Sequence, residues 1–202
     1  MMSNDLILRV QRIYSAIGET EETNITKFSP KIINDGHKIG LEQDWSGGLS
    51  EADLTNVAHS LIHNIANIHD HLRKWAACNG KDENLIEDIF NSSQALKVIT
   101  DLSNNDKHGY PPRNGGYSGK SPRIDKVIRF LRMTTKEERE SFMRLTFTSD
   151  GVPEITGDGT AKVIISGDIL DRDGNNIGDL YNTALESVKV WESVLSKFGI
   201  SC

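Results

Sequence analysis

Between residues 50 and 78 the chain carries a pattern that admits one reading. Ser50-Glu51-Ala52-Asp53 is a capping box of the Ser-x-x-Asp kind, in which the serine and the acid each satisfy a backbone N–H at a helix start. Leu54, Ala58, Leu61, Ile65, Ile68, Leu72 and Trp75 then recur at alternating spacings of four and three. That is the period of a buried helical seam, held for about six turns. Asn79-Gly80 ends the run, with Gly80 suited to a left-handed cap. So long an apolar stripe needs other elements laid along it, and this constrains the rest of the chain.

The next segment supplies one. Leu85, Ile89, Leu96, Ile99 and Leu102 predict a second long helix over 82–106, with Ser92-Ser93 as a weak point. The short link between the two favours an antiparallel hairpin. Leu6, Val10, Ile13 and Ile17 predict an amphipathic helix over 5–17. Residues 179–198 predict a last one, with Tyr181, Ala184, Val188, Trp191, Leu195 and Phe198 on one face. Residues 19–48 read as loop with two short strands, around 31–33 and 38–42. Residues 109–122 hold four glycines and three prolines and read as loop. Ile124–Leu131 and Thr135–Met143 read as short helices. Strand signals fall at Leu145–Thr148, Ala161–Ile165 and Ile169-Leu170, with a bulge at Gly167 and turns at Asp150-Gly151 and Asp173-Gly174-Asn175. The expected fold is a single mainly α domain over 1–202. It is a helical bundle around the central hairpin (50–108), with a small antiparallel β-sheet or hairpin over 144–171 before the C-terminal helix.

Charge is distributed unevenly. The net charge is −6, which predicts no bulk attraction to nucleic acid. Yet Lys107, Arg113, Lys120, Arg123, Lys126, Arg129 and Arg132 face only Asp125 within 107–132, so that segment is +6 and the remainder −12. Such a reversal can steer an anionic partner; the ordinary alternative is a solvated face paired with acids elsewhere. Cys78 and Cys202 form neither a disulfide framework nor a metal spacing, and a reducing cytoplasm suits them. The start lacks a secretory leader and no apolar run approaches the roughly 18 residues of a membrane span. The expectation is a cytoplasmic protein with no membrane partner and no cofactor.

Four places could carry chemistry. His59, His63 and Asp70 fall on one side of the first long helix, and His-x3-His is a metal-ligand spacing; the alternative is surface histidines bonded to acids. Asp171-Arg-Asp173-Gly-Asn175 resembles a calcium loop only superficially, because Asn176 stands where the loop needs glycine, and a hairpin turn reads better. Gly119-Lys120-Ser121 has the ending of a phosphate-binding loop, but Asn114 occupies the place of its first glycine and a helix precedes it. The loop can still cover a site, with Tyr110 and Tyr117 available to stack on bases. The fourth is Asp101-Leu-Ser-Asn104-Asn-Asp-Lys107-His108. His108 can exchange protons near neutral pH, Lys107 can hold a phosphate, and Asn104 can orient either. A helix C-terminus would also welcome Lys and His for its dipole alone.

The octet, preceded by a helix bearing His71-Leu-Arg-Lys-Trp75, resembles the Asp-Ile-Ala-Asn-x-x-Lys-His pattern of uncharacterised prokaryotic helical proteins, which in turn resemble the HEPN superfamily. The resemblance covers about residues 50–110. It implies a helical bundle, frequently dimeric, of toxin–antitoxin or antiphage systems, and in many members a metal-independent ribonuclease. The family's site has an arginine, a polar residue, three more residues and a histidine. Carried over, the polar residue is Asn104 and the histidine His108, while the arginine position falls on Ser103. Serine lacks the fixed cationic fork that arginine offers phosphate. The expectation is therefore an RNA or other phosphate-bearing ligand held by Asn104, Lys107 and His108 as candidate catalytic residues, with Arg113, Lys120 and Arg123 as phosphate contacts. The alternative is a noncatalytic protein-interaction or assembly module, a homodimer or bound to a protein partner.

Overall fold

A computed structural model of the chain describes residues 2–18, 24–28, 30–34, 36, 38–109 and 113–200. Helix α1 spans Met2–Ile17 and buries Leu6, Val10, Ile13 and Ile17, the positions its period marks. Helix α2 spans Glu51–Cys78. Its capping box forms in full: Ser50 Oγ accepts from Asp53 N at 3.2 Å, and Asp53 Oδ2 accepts from Ser50 N at 3.0 Å. The Ser50 hydrogen bonds hold the Asp53 carboxyl below the usual carboxylate range. At the other end Gly80 has φ +61°, and Lys81 N returns to Ala76 O at 2.9 Å, closing the helix as a Schellman turn.

The expected second long helix is two. Helix α3 covers Asn84–Ser92 and helix α4 covers Gln94–His108. Ser93 between them is extended, and its Oγ accepts from Leu96 N at 3.3 Å, so it ends one helix and caps the next. Serine competes with the helix backbone in this way wherever a local partner is in reach. Helix α4 stops at Gly109, which is left-handed at φ +69°. Helix α5 spans Leu180–Lys197 behind the N-cap Asp179. Helices α1, α2, α4 and α5 share one core with Val127, Ile165 and Ile169 of the sheet, and Trp191 is almost wholly buried in it. Tyr14 of α1 donates to Glu192 of α5 at 2.7 Å, joining the first helix to the last.

The mainly α expectation, with one small hairpin over 144–171, is overturned. Seven strands in three sheets accompany five α-helices among the described residues, so the fold is mixed. Strands β1 (Lys31–Asn34) and β2 (Ile39–Glu42) form a hairpin close to where the sequence signals place them. Strand β3 (Arg123–Thr134) pairs antiparallel with β6 (Thr160–Leu170), and β7 (Asn176–Asp179) pairs on the other side of β6. Strands β4 (Met143–Phe147) and β5 (Pro153–Gly157) form a hairpin of their own between β3 and β6 in the chain.

Two expected helices are absent. Residues 123–134 are strand β3, and no helix covers 135–143, where Lys136 N and Asp158 Oδ1 both meet Ser141 Oγ at 2.8 Å. The first error has a mechanical cause. Ile124 lies opposite Ile169 and Val127 opposite Gly167, so β3 spends one residue more than β6 over this stretch. That bulge resets the two-residue alternation and puts residues three apart on one face, which imitates a helical period. The bulge sits in β3 and not at Gly167. Gly167 makes room for it, since a Cβ there would lie 3.1 Å from Lys126 O. The turn at 171–175 forms as read, with Asp171 Oδ1 accepting from Asp173 N and Asn175 N, both at 2.9 Å. Among the described residues no helix is long and apolar enough to cross a membrane.

Candidate functional site

The octet lies in the last two turns of α4. At about 100° per residue its side chains leave the helix in three directions, and each direction has a different fate.

The first points toward the Gly-rich loop. Asp101 is wholly buried. Its Oδ1 accepts from Tyr117 N at 2.9 Å, and its Oδ2 accepts from Ser118 N at 2.8 Å and from Ser118 Oγ at 2.6 Å. Three donors aimed at one carboxylate offset the large cost of burying it. Gly116, at φ +68°, presses so closely on Asp101 that a Cβ there would overlap the carboxylate. Two further bonds fasten the same loop: Gln94 Nε2 donates to Ser118 O at 3.1 Å and Asn105 Nδ2 to Pro122 O at 3.2 Å. Tyr117 is 60% exposed while its ring makes a T-shaped contact with Phe90, centroids 5.4 Å apart. The loop is thus held by its backbone and displays its aromatic side chain.

The second direction points toward α2. His63 Nδ1 lies 2.7 Å from Ser103 Oγ, and its Nε2 lies 2.7 Å from Asp106 Oδ2. His59 Nδ1 approaches Asp106 Oδ1 at 3.3 Å, near enough for attraction but out of line for a hydrogen bond. The serine–histidine–aspartate chain resembles a nucleophilic relay only in its bonding. Ser103 is 1% exposed and cannot meet a substrate, so the relay works as a clasp between α2 and α4. This also corrects the metal reading. Asp70 is not with His59 and His63 but beside His69, Oδ1 to Nδ1 at 3.6 Å, and points to solvent. Among the described residues no three metal-capable side chains gather. His69 instead stacks near Phe90 and Trp191 and faces Glu87 at 3.2 Å. His71 sits apart between α1 and α2, where burial first and the Arg9 charge second pull its pKa below the ordinary 6.5.

The third direction is outward. Asn104 is half-buried, and Lys107 and His108 are exposed. By helical geometry these three share a sector that borders the loop fixed by Asp101. Lys120 and Arg123 are exposed at the far end of the same loop, and Lys120 lies near enough to Asp171 to help lower its pKa, after the larger effect of the Asn175 hydrogen bonds. The Arg113 side chain and Tyr110 lie outside the described residues. The basic run does not act as one patch. Arg129 donates to Ser46 O at 3.2 Å and sits over the Phe28 ring, and Arg132 lies over the Tyr181 ring at 4.7 Å.

Sequence reasoning missed the anchoring role of Asp101 and the clasp at Ser103 and Asp106. Signals existed for both. Gly115-Gly116 followed by Ser118 is the composition of a loop that something approaches closely. Asp106 continues the packing line of Ile99 and Leu102, where an acid must find a partner on the facing helix. Comparison of the chain with family models, with curated proteins and with solved structures returns no match.

Proposed function

We propose that the protein is a HEPN-like RNA-binding protein, of a defence or toxin–antitoxin setting, that engages single-stranded RNA at the end of α4 without cutting it. The observation that carries this reading is the Asp101 cage. It fixes residues 117 and 118 by their backbone and leaves Tyr117 displayed on the loop that carries Lys120 and leads on to Arg123. An exposed aromatic on a loop that also bears cations can stack a base while the cations meet phosphates. Against cleavage stands Ser103, buried and engaged with His63 where the family site has its arginine. Ser103 offers Asn104 and His108 no cationic fork to stabilise a charged transition state.

The test is fluorescence anisotropy of a labelled single-stranded RNA pool across a salt series. The expected result is binding that weakens as salt rises, a Tyr117→Ala loss of about tenfold, and a shallower salt slope for Lys107→Ala. Intact RNA should remain after long incubation. Binding indifferent to salt and to both substitutions, or RNA shortened by wild type and not by His108→Ala, would overturn the reading.

A further inference from the structure

Away from α4, strands β3 and β6 and the start of α5 line a cavity of about 530 Å³ that the RNA reading does not use. Its chemistry follows from the bulge. Ile124 pairs with Ile169 and Val127 with Gly167, so Asp125 and Lys126 together stand against Asp168. A bulge re-aims the side chains it displaces, and here Lys126 joins Asp168 in the lining of the cavity.

These two opposite charges share the cavity and do not pair. Among the described residues the Lys126 ammonium makes no ion pair, and Asp168 is held through one oxygen alone, its Oδ1 accepting from Asn176 Nδ2 at 3.1 Å. The neighbouring acid is satisfied through both. Asp179 lies directly opposite Asp168 across β6 and β7. Its Oδ1 accepts from Asn182 N at 2.9 Å and Ser166 Oγ at 3.3 Å, and its Oδ2 accepts from Asn182 Nδ2 at 2.7 Å. Asp179 is committed to capping α5, and Asp168 has Oδ2 to offer. Like charges facing each other across a ladder repel, so the place beside Asp168 favours a cation.

Along β3, Ile128 and Phe130 lie between Lys126 and Arg132 in the lining. Ile128 is 41% exposed and Phe130 is half-buried. Arg132 is laid over the Tyr181 ring at 4.7 Å and belongs to the wall. Lys126 and Arg132 balance Asp168 and Asp179, so a simple anion or a simple cation meets as much repulsion as attraction. A molecule bearing both signs on adjacent groups does not. Apolar side chains with a few polar groups at the edge, around a space of this size, are the usual composition of a small-molecule site. The Phe130 ring offers a second aromatic ring an edge or offset contact.

We propose that this cavity binds a free aromatic α-amino acid, with its ammonium on Asp168, its carboxylate on Lys126 and its ring over Ile128 and Phe130. The site is separate from the α4 surface and stands or falls independently of it.

Isothermal titration of the full chain at low salt with L-phenylalanine, L-tyrosine and L-tryptophan tests this. Beside each stand its N-acetyl form, which lacks the ammonium, and its amide, which lacks the carboxylate. At least one free amino acid should bind at least about tenfold more tightly than either of its blocked forms, the order of a charge-assisted contact. Asp168→Asn should weaken the free amino acid about tenfold and leave the N-acetyl form unchanged. Lys126→Gln should weaken it by a similar factor and leave the amide unchanged, while Lys107→Ala alters neither. A circular dichroism spectrum matching wild type admits each variant, and either one decides should the other misfold. No binding of any of the three at millimolar concentration, blocked forms that bind as tightly as the free amino acid, or an affinity indifferent to both cavity variants would overturn the assignment.

Discussion

Asp101 and Asp106 stand five residues apart in one helix and live opposite lives. Asp101 is wholly buried and surrounded by donors that never change charge, two backbone N–H groups and a hydroxyl. Asp106 is 37% exposed and is met by two imidazoles from the facing helix. The first arrangement makes a fastening that salt leaves alone. The second makes a contact that solvent screens. The same side chain becomes part of a frame on one flank of α4 and part of an adjustable joint on the other.

This contrast can be broken by experiment. The largest effect belongs to Asp101→Asn, which sets an amide N–H against donors and leaves them unsatisfied in the interior. It should cost about 2–3 kcal/mol in denaturant melts. A loss under about 0.5 kcal/mol, the range of a surface substitution, would mean that the cage is not a fastening. Gly116→Ala attacks the same cage from the loop side, through both crowding and a positive φ, and should cost about 2 kcal/mol. His63→Ala and Asp106→Asn, combined in a double-mutant cycle, should show a coupling of only about 0.5–1 kcal/mol, because Asp106 is more than a third exposed. That coupling should shrink in high salt, whereas the Asp101 effect should not; equal salt responses would erase the distinction. Smallest is the contribution of His71, where burial and the Arg9 charge outweigh the nearby Asp5 and Asp70 carboxylates. Burial and Arg9 lower its folded pKa below 6.5, so folding disfavours its proton. It costs nothing above that value and destabilises progressively as pH falls below it. His71→Gln should flatten the acid limb of the stability profile slightly, and an unchanged limb would remove His71 from the account.

The helices could be read because their signals are local. The Ser50 box, the α2 seam and the Gly80 cap are each complete within a few residues. The β3 strand could not be, because its apolar residues are spaced by a bulge whose existence depends on β6, some forty residues later. The site was half legible for the same reason. The octet was singled out by its own residues, but what Asp101 and Asp106 do is decided by Ser118 and His63, which no spacing within the octet reveals.

The Tyr14–Glu192 bond spans almost the whole chain, and α1 packs against α5. On a ribosome adding about 5–20 residues per second, α1 therefore waits roughly 10–40 seconds for its partner to emerge. Through that interval Leu6, Val10, Ile13 and Ile17 can rest only against α2, with one flank uncovered. The first helix made is among the last to be finished, and a chain halted before α5 would offer that stripe to chaperones rather than to its own core.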